Sequence, residues 1–146
     1  MYHSQKLYDL LFGSFNKRFS NQRTNFDWLS RDQKEVDAYI QDPLCGFPFT
    51  AAAYLDLISL QYYSNTKLWY KTLPQNLPML LISGSMDPVG GYGKGISAIA
   101  KNLHNAGIQD LTVWLYPEAR HELLNELNRD EVMRDVLSWL ALHSAE

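Results

Sequence analysis

Two side chains of this 146-residue sequence have the types and the placing to move a proton together: Asp87 in "LLISGSMDPVG" and His121 in "LYPEARHELLNE". Each follows a short apolar run that reads as a strand. A carboxylate beside an imidazole can fix its tautomer and stabilise the imidazolium formed when the ring acts as a general base. Each residue also has a plainer reading. Asp87-Pro88 is an ordinary turn dipeptide, and a histidine after a strand can be purely structural.

The elements that must position the pair lie after "TLPQNLP", Thr72 to Pro78, where two prolines break the periodicity. "MLLIS" is a continuous apolar run. "GYGKGISAIAKNLHNAG" is helical and stopped by Gly107, "LTVWLY" is rich in strand-forming residues, and "NRDEVMRDVLSWLALH" is an amphipathic helix. Strand, helix, strand, helix predicts an α/β arrangement of two parallel strands, with cover on both faces of "MLLI". Functional groups of such sheets gather beyond the C-terminal strand ends, where Asp87 and His121 both fall. Parallel sheets of two strands are rare, so the chain is expected to be part of a larger fold.

Before the boundary the signals are helical. Ser30 and Gln33 form a potential capping box ahead of "RDQKEVDAYIQD", with Val36, Tyr39 and Ile40 on one face. In "PFTAAAYLDLISLQYYS", residues Ala51, Tyr54, Leu55, Ile58 and Tyr62 recur at helical spacing. Gly13 to Asn25 is polar and reads as loop. The expected organisation is a helical region over 1–72 and a strand-helix-strand-helix region over 73–146.

"FGSFNKRFSNQRTNFDWLSRD", "DPLCGF", "LPMLLISGSMDPVGGYGKG" and "LYPEARHELLNE" closely resemble the lysophospholipase and monoacylglycerol-lipase-like α/β-hydrolases, a group often labelled serine aminopeptidase-like. The resemblance runs over nearly the whole chain. It implies that the acid of "SGSMDPVG", Asp87, and the histidine of "ARHELLNE", His121, are the second and third members of a Ser-Asp-His triad. It also implies that 1–72 is the cap over an acyl pocket and 73–146 the C-terminal part of the hydrolase core. The substrate would be a small lipid-like ester, a monoacylglycerol or lysophospholipid.

The family's nucleophile sits on a G-x-S-x-G elbow upstream of the cap, and this chain has no complete match. The nearest string, "GKGISAIA", places Ser97 inside a helical pattern with Ile99 where glycine is required. No nucleophile is therefore expected within these residues, and the chain alone is expected to be inactive. Its partner would be the missing N-terminal half of the hydrolase. The rival expectation is a non-catalytic truncated or split fragment that folds by pairing its strand edges with another chain, such as a second copy of itself.

Other motifs point elsewhere only superficially. "HELLN" begins like a zinc-binding H-E-x-x-H helix, but Asn125 stands where the second histidine is needed. Glu122 reads as a first-turn helix acid, with Asn125 and Glu126 in the same turn. "GGYGKG" lacks the dinucleotide and P-loop patterns and reads as a turn opening a helix. Trp28, Phe47, Phe49 and Tyr54 could line an acyl pocket or simply form core. Cys45 reads as a buried, inert thiol, and Arg120 as a solvated side chain. His3, His104 and His143 have no evident partner.

Bulk composition excludes several classes. The formal charge of −3 is dispersed, which leaves no basic stripe for nucleic acid. A single cysteine cannot close an internal disulfide, and four histidines show no zinc-site spacing, so neither metal nor cofactor is expected. No apolar run reaches the length of a membrane span and no export signal is evident, so the expected location is cytoplasmic.

Overall fold

A computed structural model describes residues 3–144. Six helices and two strands follow in the order α1 (Gln5–Phe12), α2 (Gln33–Gln41), α3 (Ala51–Ser64), α4 (Lys67–Lys71), β1 (Met79–Gly84), α5 (Lys94–Ala106), β2 (Leu111–Tyr116) and α6 (Arg129–His143), with single 3-10 turns at Phe15–Arg18 and Leu123–Asn125. Among these residues no helix is long and apolar enough to cross a membrane.

β1 and β2 pair in parallel, with Met79 opposite Leu111, Ile82 opposite Trp114 and Gly84 opposite Tyr116. Side chains alternate across a strand, so paired residues share a face. Met79, Leu81 and Leu111 pack under Tyr70, Leu103 and Ile108 of α4, α5 and the turn that follows. Ile82, Trp114 and Tyr116 pack under Val132 and Val136 of α6. Helices thus lie on both faces of β1, as its unbroken apolar pattern requires, while Val113 and Leu115 of β2 stay exposed. Val132 is fully buried, and burying a side chain of that size contributes roughly 1.5–3 kcal/mol.

α5 ends where the sequence says it must. Gly107 takes φ 97°, and its N–H returns to the carbonyls of Leu103 and His104, a left-handed cap that a residue with a Cβ resists. α2 begins differently from its expected capping box. The N-cap is Asp32, whose carboxylate accepts from the Lys34 N–H at 3.0 Å. Ser30 is recruited elsewhere: its hydroxyl donates to the Asn125 carbonyl at 2.7 Å and accepts from the Asp32 N–H.

α1, with Ser4 as its N-cap, and the short α4 add two helices to those that periodicity picks out in the helical region. The expected polar loop over 13–25 includes a 3-10 turn and buries Phe19 against Trp28 and Leu29. α3 also departs from expectation. Only Tyr54 of its apolar positions is buried, while Leu55, Leu57, Ile58, Leu60, Tyr62 and Tyr63 face outward. The helix is apolar around most of its circumference, and the described residues cover only one side.

Candidate active site

Asp87 is delivered by a tight turn off the C-terminal end of β1. The Ser85 N–H donates to the Tyr116 carbonyl and the Met86 N–H to the Ala119 carbonyl, both at 2.9 Å, which ties this turn to the one after β2. The Asp87 N–H returns to Gly84, and the Asp87 carbonyl accepts from Tyr92 at 2.8 Å. Its Oδ1 accepts the Val89 N–H at 2.9 Å. Both ends of the residue are therefore fixed, and the side chain is nearly buried.

Gly84 makes the approach of the second loop possible. A Cβ there would lie 2.2 Å from the carbonyl oxygens of both Ala119 and Arg120. Only hydrogen lets the Pro117–His121 segment cross the end of β1 this closely. Glu118 takes φ 58°, and its N–H is held by the Ser85 hydroxyl at 2.8 Å. The segment is thus bent back over the Asp87 turn.

That bend brings the two predicted residues together: His121 Nδ1 lies 3.2 Å from Asp87 Oδ1. With Asp87 ionised, the assigned tautomer carries its proton on Nδ1 and donates it to the carboxylate, leaving Nε2 as the basic nitrogen. The ring is 37% exposed against 10% for the Asp87 side chain, so the imidazole faces outward from a shielded acid. The Trp28 ring lies beside the imidazole, tilted by 45°, with ring centroids 5.3 Å apart.

The backbone of the His121 loop is docked on residues 27–31. The His121 N–H reaches the Trp28 carbonyl at 3.4 Å and the Glu122 N–H the Leu29 carbonyl at 2.8 Å. Arg120, expected in solvent, is instead half-buried. Its guanidinium donates to the carbonyls of Asp27 and Ser30 and stacks on Phe19, 4.1 Å from the ring centroid. Burial lowers its pKa, opposed by the nearby Glu126 and Asp27 carboxylates.

Glu126 is wholly buried. It accepts from the N–H groups of Arg31, Arg120 and Leu127 and from Arg31 Nε at 2.8 Å. Removing the partners of such a buried ion costs roughly 3–5 kcal/mol. Neither Arg120 nor Glu126 announced this role by spacing, because their partners among residues 27–31 lie 90 to 95 residues away. Glu122 is also not a first-turn helix acid. The segment 123–125 makes one 3-10 turn, and the acids in the first turn of α6 are Asp130 and Glu131.

Ser97 lies in the first turn of α5 and donates its hydroxyl to the Gly93 carbonyl at 2.8 Å, an ordinary helical back-bond. It is not on a strand-to-helix elbow. His143 has a partner after all, with Nε2 3.2 Å from Asp110 and its ring stacked on Trp139.

Beside Trp28, on the side toward α1 and α3, is a cavity of about 270 Å³ lined by Phe12, Phe26, Trp28, Tyr39, Phe47 and Tyr54 among others. All four aromatics singled out in the sequence, including Phe49, line it. Cys45 sits on its wall, half-buried rather than buried, and burial followed by the Asp42 carboxylate pushes its thiol pKa up, away from the reactive thiolate. A wider groove of about 510 Å³ between α4 and α5 is lined by Lys67, Lys71, Asn102 and Asn105 and includes neither Asp87 nor His121.

Comparison with known proteins identifies the family and the fold. The profile of a family described as serine aminopeptidase, S33, matches residues 2–128. A monoacylglycerol lipase of Mycolicibacterium smegmatis is 28% identical over 121 residues, which is 80% of this chain and 39% of that protein. A thermostable carboxyl esterase from Bacillus coagulans superposes with a TM-score of 0.87 at 27% identity, over 95% of this chain and 46% of its own. A lipase in its open form gives 0.87 at 26% identity, over 100% and 48% respectively. The chain thus spans about half the length of these relatives or less.

Proposed function

The chain belongs to the serine aminopeptidase S33 family, an α/β-hydrolase group, and from that membership we propose that it supplies the acid and histidine of a Ser-Asp-His triad that hydrolyses carboxylic esters of the monoacylglycerol or lysophospholipid class. The observation that carries this reading is the Asp87 Oδ1 to His121 Nδ1 contact of 3.2 Å beyond the C-terminal ends of two parallel strands. A serine outside these 146 residues would attack the acyl carbon. His121 Nε2 takes the serine proton and returns it to the leaving alcohol, while Asp87 keeps Nδ1 protonated and stabilises the imidazolium. Attack by the serine leaves its acyl ester; water then attacks that ester carbonyl while His121 Nε2 takes the water proton and returns it to the departing serine oxygen, releasing the acid.

In this reading 1–72 is the cap, and the aromatic cavity beside Trp28 takes the acyl chain. Such a pocket suits an apolar tail, since it is lined by aromatic faces and shares Trp28 with the imidazole of His121. The single cysteine accords with a reducing, cytoplasmic setting. The test is a polypeptide joining these residues to the nucleophile-bearing upstream half of a family member. Hydrolysis of a monoacylglycerol is expected, falling by roughly 10³–10⁴ in kcat for Asp87→Asn. Hydrolysis that ignores the substitution removes Asp87 from the mechanism.

One observation favours a second reading, a non-catalytic fragment that pairs its edges with another chain. The sheet has two strands among the described residues, and Val113 and Leu115 of β2 are exposed together with the leucines of α3. Sedimentation decides: a mass that stays monomeric as concentration rises contradicts self-pairing.

A further inference from the structure

Glu126 lies five residues beyond His121 and outside the pair, yet its carboxylate joins the His121 loop to the helical region. Oε1 accepts the N–H of Arg120, the residue immediately before His121, at 2.8 Å and the N–H of Arg31 at 3.1 Å. Oε2 accepts Arg31 Nε at 2.8 Å and its own neighbour Leu127 N–H at 3.0 Å. Four donors converge on two oxygens, the full capacity of a carboxylate. The side chain is 0% exposed, so none of these bonds is exchanged for water.

The fork is braced on both sides. Arg31 also donates to Asn128 Oδ1 at 2.9 Å, and Ser30 donates to the Asn125 carbonyl at 2.7 Å. Arg120 turns its guanidinium away from Glu126 and onto the carbonyls of Asp27 and Ser30. The imidazole itself is held by one side-chain hydrogen bond, to Asp87, with the Trp28 ring tilted beside it. Its position therefore depends on the backbone at 120–122, which Glu126 anchors through the Arg120 N–H and which the His121 and Glu122 N–H groups tie to Trp28 and Leu29.

We propose that Glu126 is the positioning residue for His121: by gripping the Arg120 and Arg31 amides with one oxygen and the Arg31 guanidinium with the other, it sets the imidazole against Asp87 and makes that alignment conditional on the docking of residues 27–31. The role rests on the assignment of Asp87 and His121 as an acid-histidine pair. Glutamine at 126 keeps one acceptor oxygen but turns an NH₂ toward donors, so it cannot satisfy all four. Lysine at 31 keeps the charge and loses the planar fork.

The experiment is nitrogen-proton correlation spectroscopy of the His121 ring in the 146-residue chain, with thermal unfolding recorded alongside. In the unsubstituted chain a single tautomer with a downfield Nδ1 proton is expected, and this proton should vanish in Asp87→Asn. Glu126→Gln should retain a cooperative unfolding transition while the Nδ1 proton is lost and both tautomers are populated. If Glu126→Gln does not fold, Arg31→Lys takes its place, with a weakened Nδ1 signal expected. A folded variant of either kind with the Nδ1 proton unchanged overturns the role of Glu126 alone. Absence of that proton from the unsubstituted chain overturns the Asp87–His121 pairing itself.

Discussion

Replacing Gly84 by alanine tests whether the close crossing of β1 by the His121 loop holds the site together. The added Cβ would stand 2.2 Å from the carbonyl oxygens of Ala119 and Arg120 and 2.5 Å from the Ala119 carbonyl carbon. Ordinary contacts of this kind begin near 3.4 Å, so one element must retreat by more than an ångström. The obstacles are backbone atoms, which cannot rotate aside as a side-chain tip can. The Met86 N–H bond to Ala119, at 2.9 Å, is the first to stretch. Overpacking of a tight site costs about 1–3 kcal/mol, and three immovable contacts place Gly84→Ala at the upper end. For a chain of this size about 3 kcal/mol lowers Tm by roughly 10 °C. His121 moves with the loop, and its 3.2 Å contact to Asp87, already at the long end of the hydrogen-bond range, opens. In an active assembly a displacement of about 1 Å lowers turnover by roughly 10². Urea unfolding of the 146-residue chain provides the assay. A change below about 0.5 kcal/mol would refute the tight-crossing argument.

Three further outcomes are expected. The Tyr116 hydroxyl is buried and donates to Asp135 Oδ2 at 3.0 Å, and burial followed by the Asp135 carboxylate pushes its pKa up to about 12. The folded state therefore holds this proton more tightly than the unfolded state, so stability falls as pH rises from about 10 through about 12 and Tyr116→Phe flattens that slope, as read from urea midpoints. Burial raises the Asp27 pKa, but the Thr24 hydroxyl and the Arg23 and Thr24 N–H groups outweigh it and hold the carboxyl below 3.8. Its contribution is present above that value and lost as pH falls through the folded pKa, and Thr24→Ala should move the acid-unfolding midpoint to higher pH. Gly90→Ala would place a Cβ 3.2 Å from Asp87 Oδ2 and 3.3 Å from Ser83 Oγ, so the His121 Nδ1 proton signal should shift without loss of fold; an unchanged signal would mean that the Asp87 carboxylate has room to yield.

What was legible in the sequence was what short segments decide among themselves. β1, α5 with its stop at Gly107, β2 and α6 each carry their own periodicity and punctuation, and the acid and histidine follow the strands that hold them. The capping box at Ser30 failed because a hydroxyl can serve only so many partners, and Asn125, 95 residues away, claims it. Arg120 and Glu126 were unreadable for the same reason: a charged side chain looks solvated until the segment that buries it is known. α3 misled in another way. Leucines and tyrosines stand all round it, so a helical stripe can be drawn that does not correspond to the side this chain covers.

The central claim, that Asp87 and His121 serve a serine beyond these residues, is tested most directly by treating the purified 146-residue chain with a fluorophosphonate and measuring its intact mass. Ser97 is bonded within its helix and lies off any elbow, so the expected result is an unmodified chain. A stoichiometric adduct on Ser97, or on any other serine of the chain, would mean that these residues hold an activated nucleophile of their own and would contradict the claim.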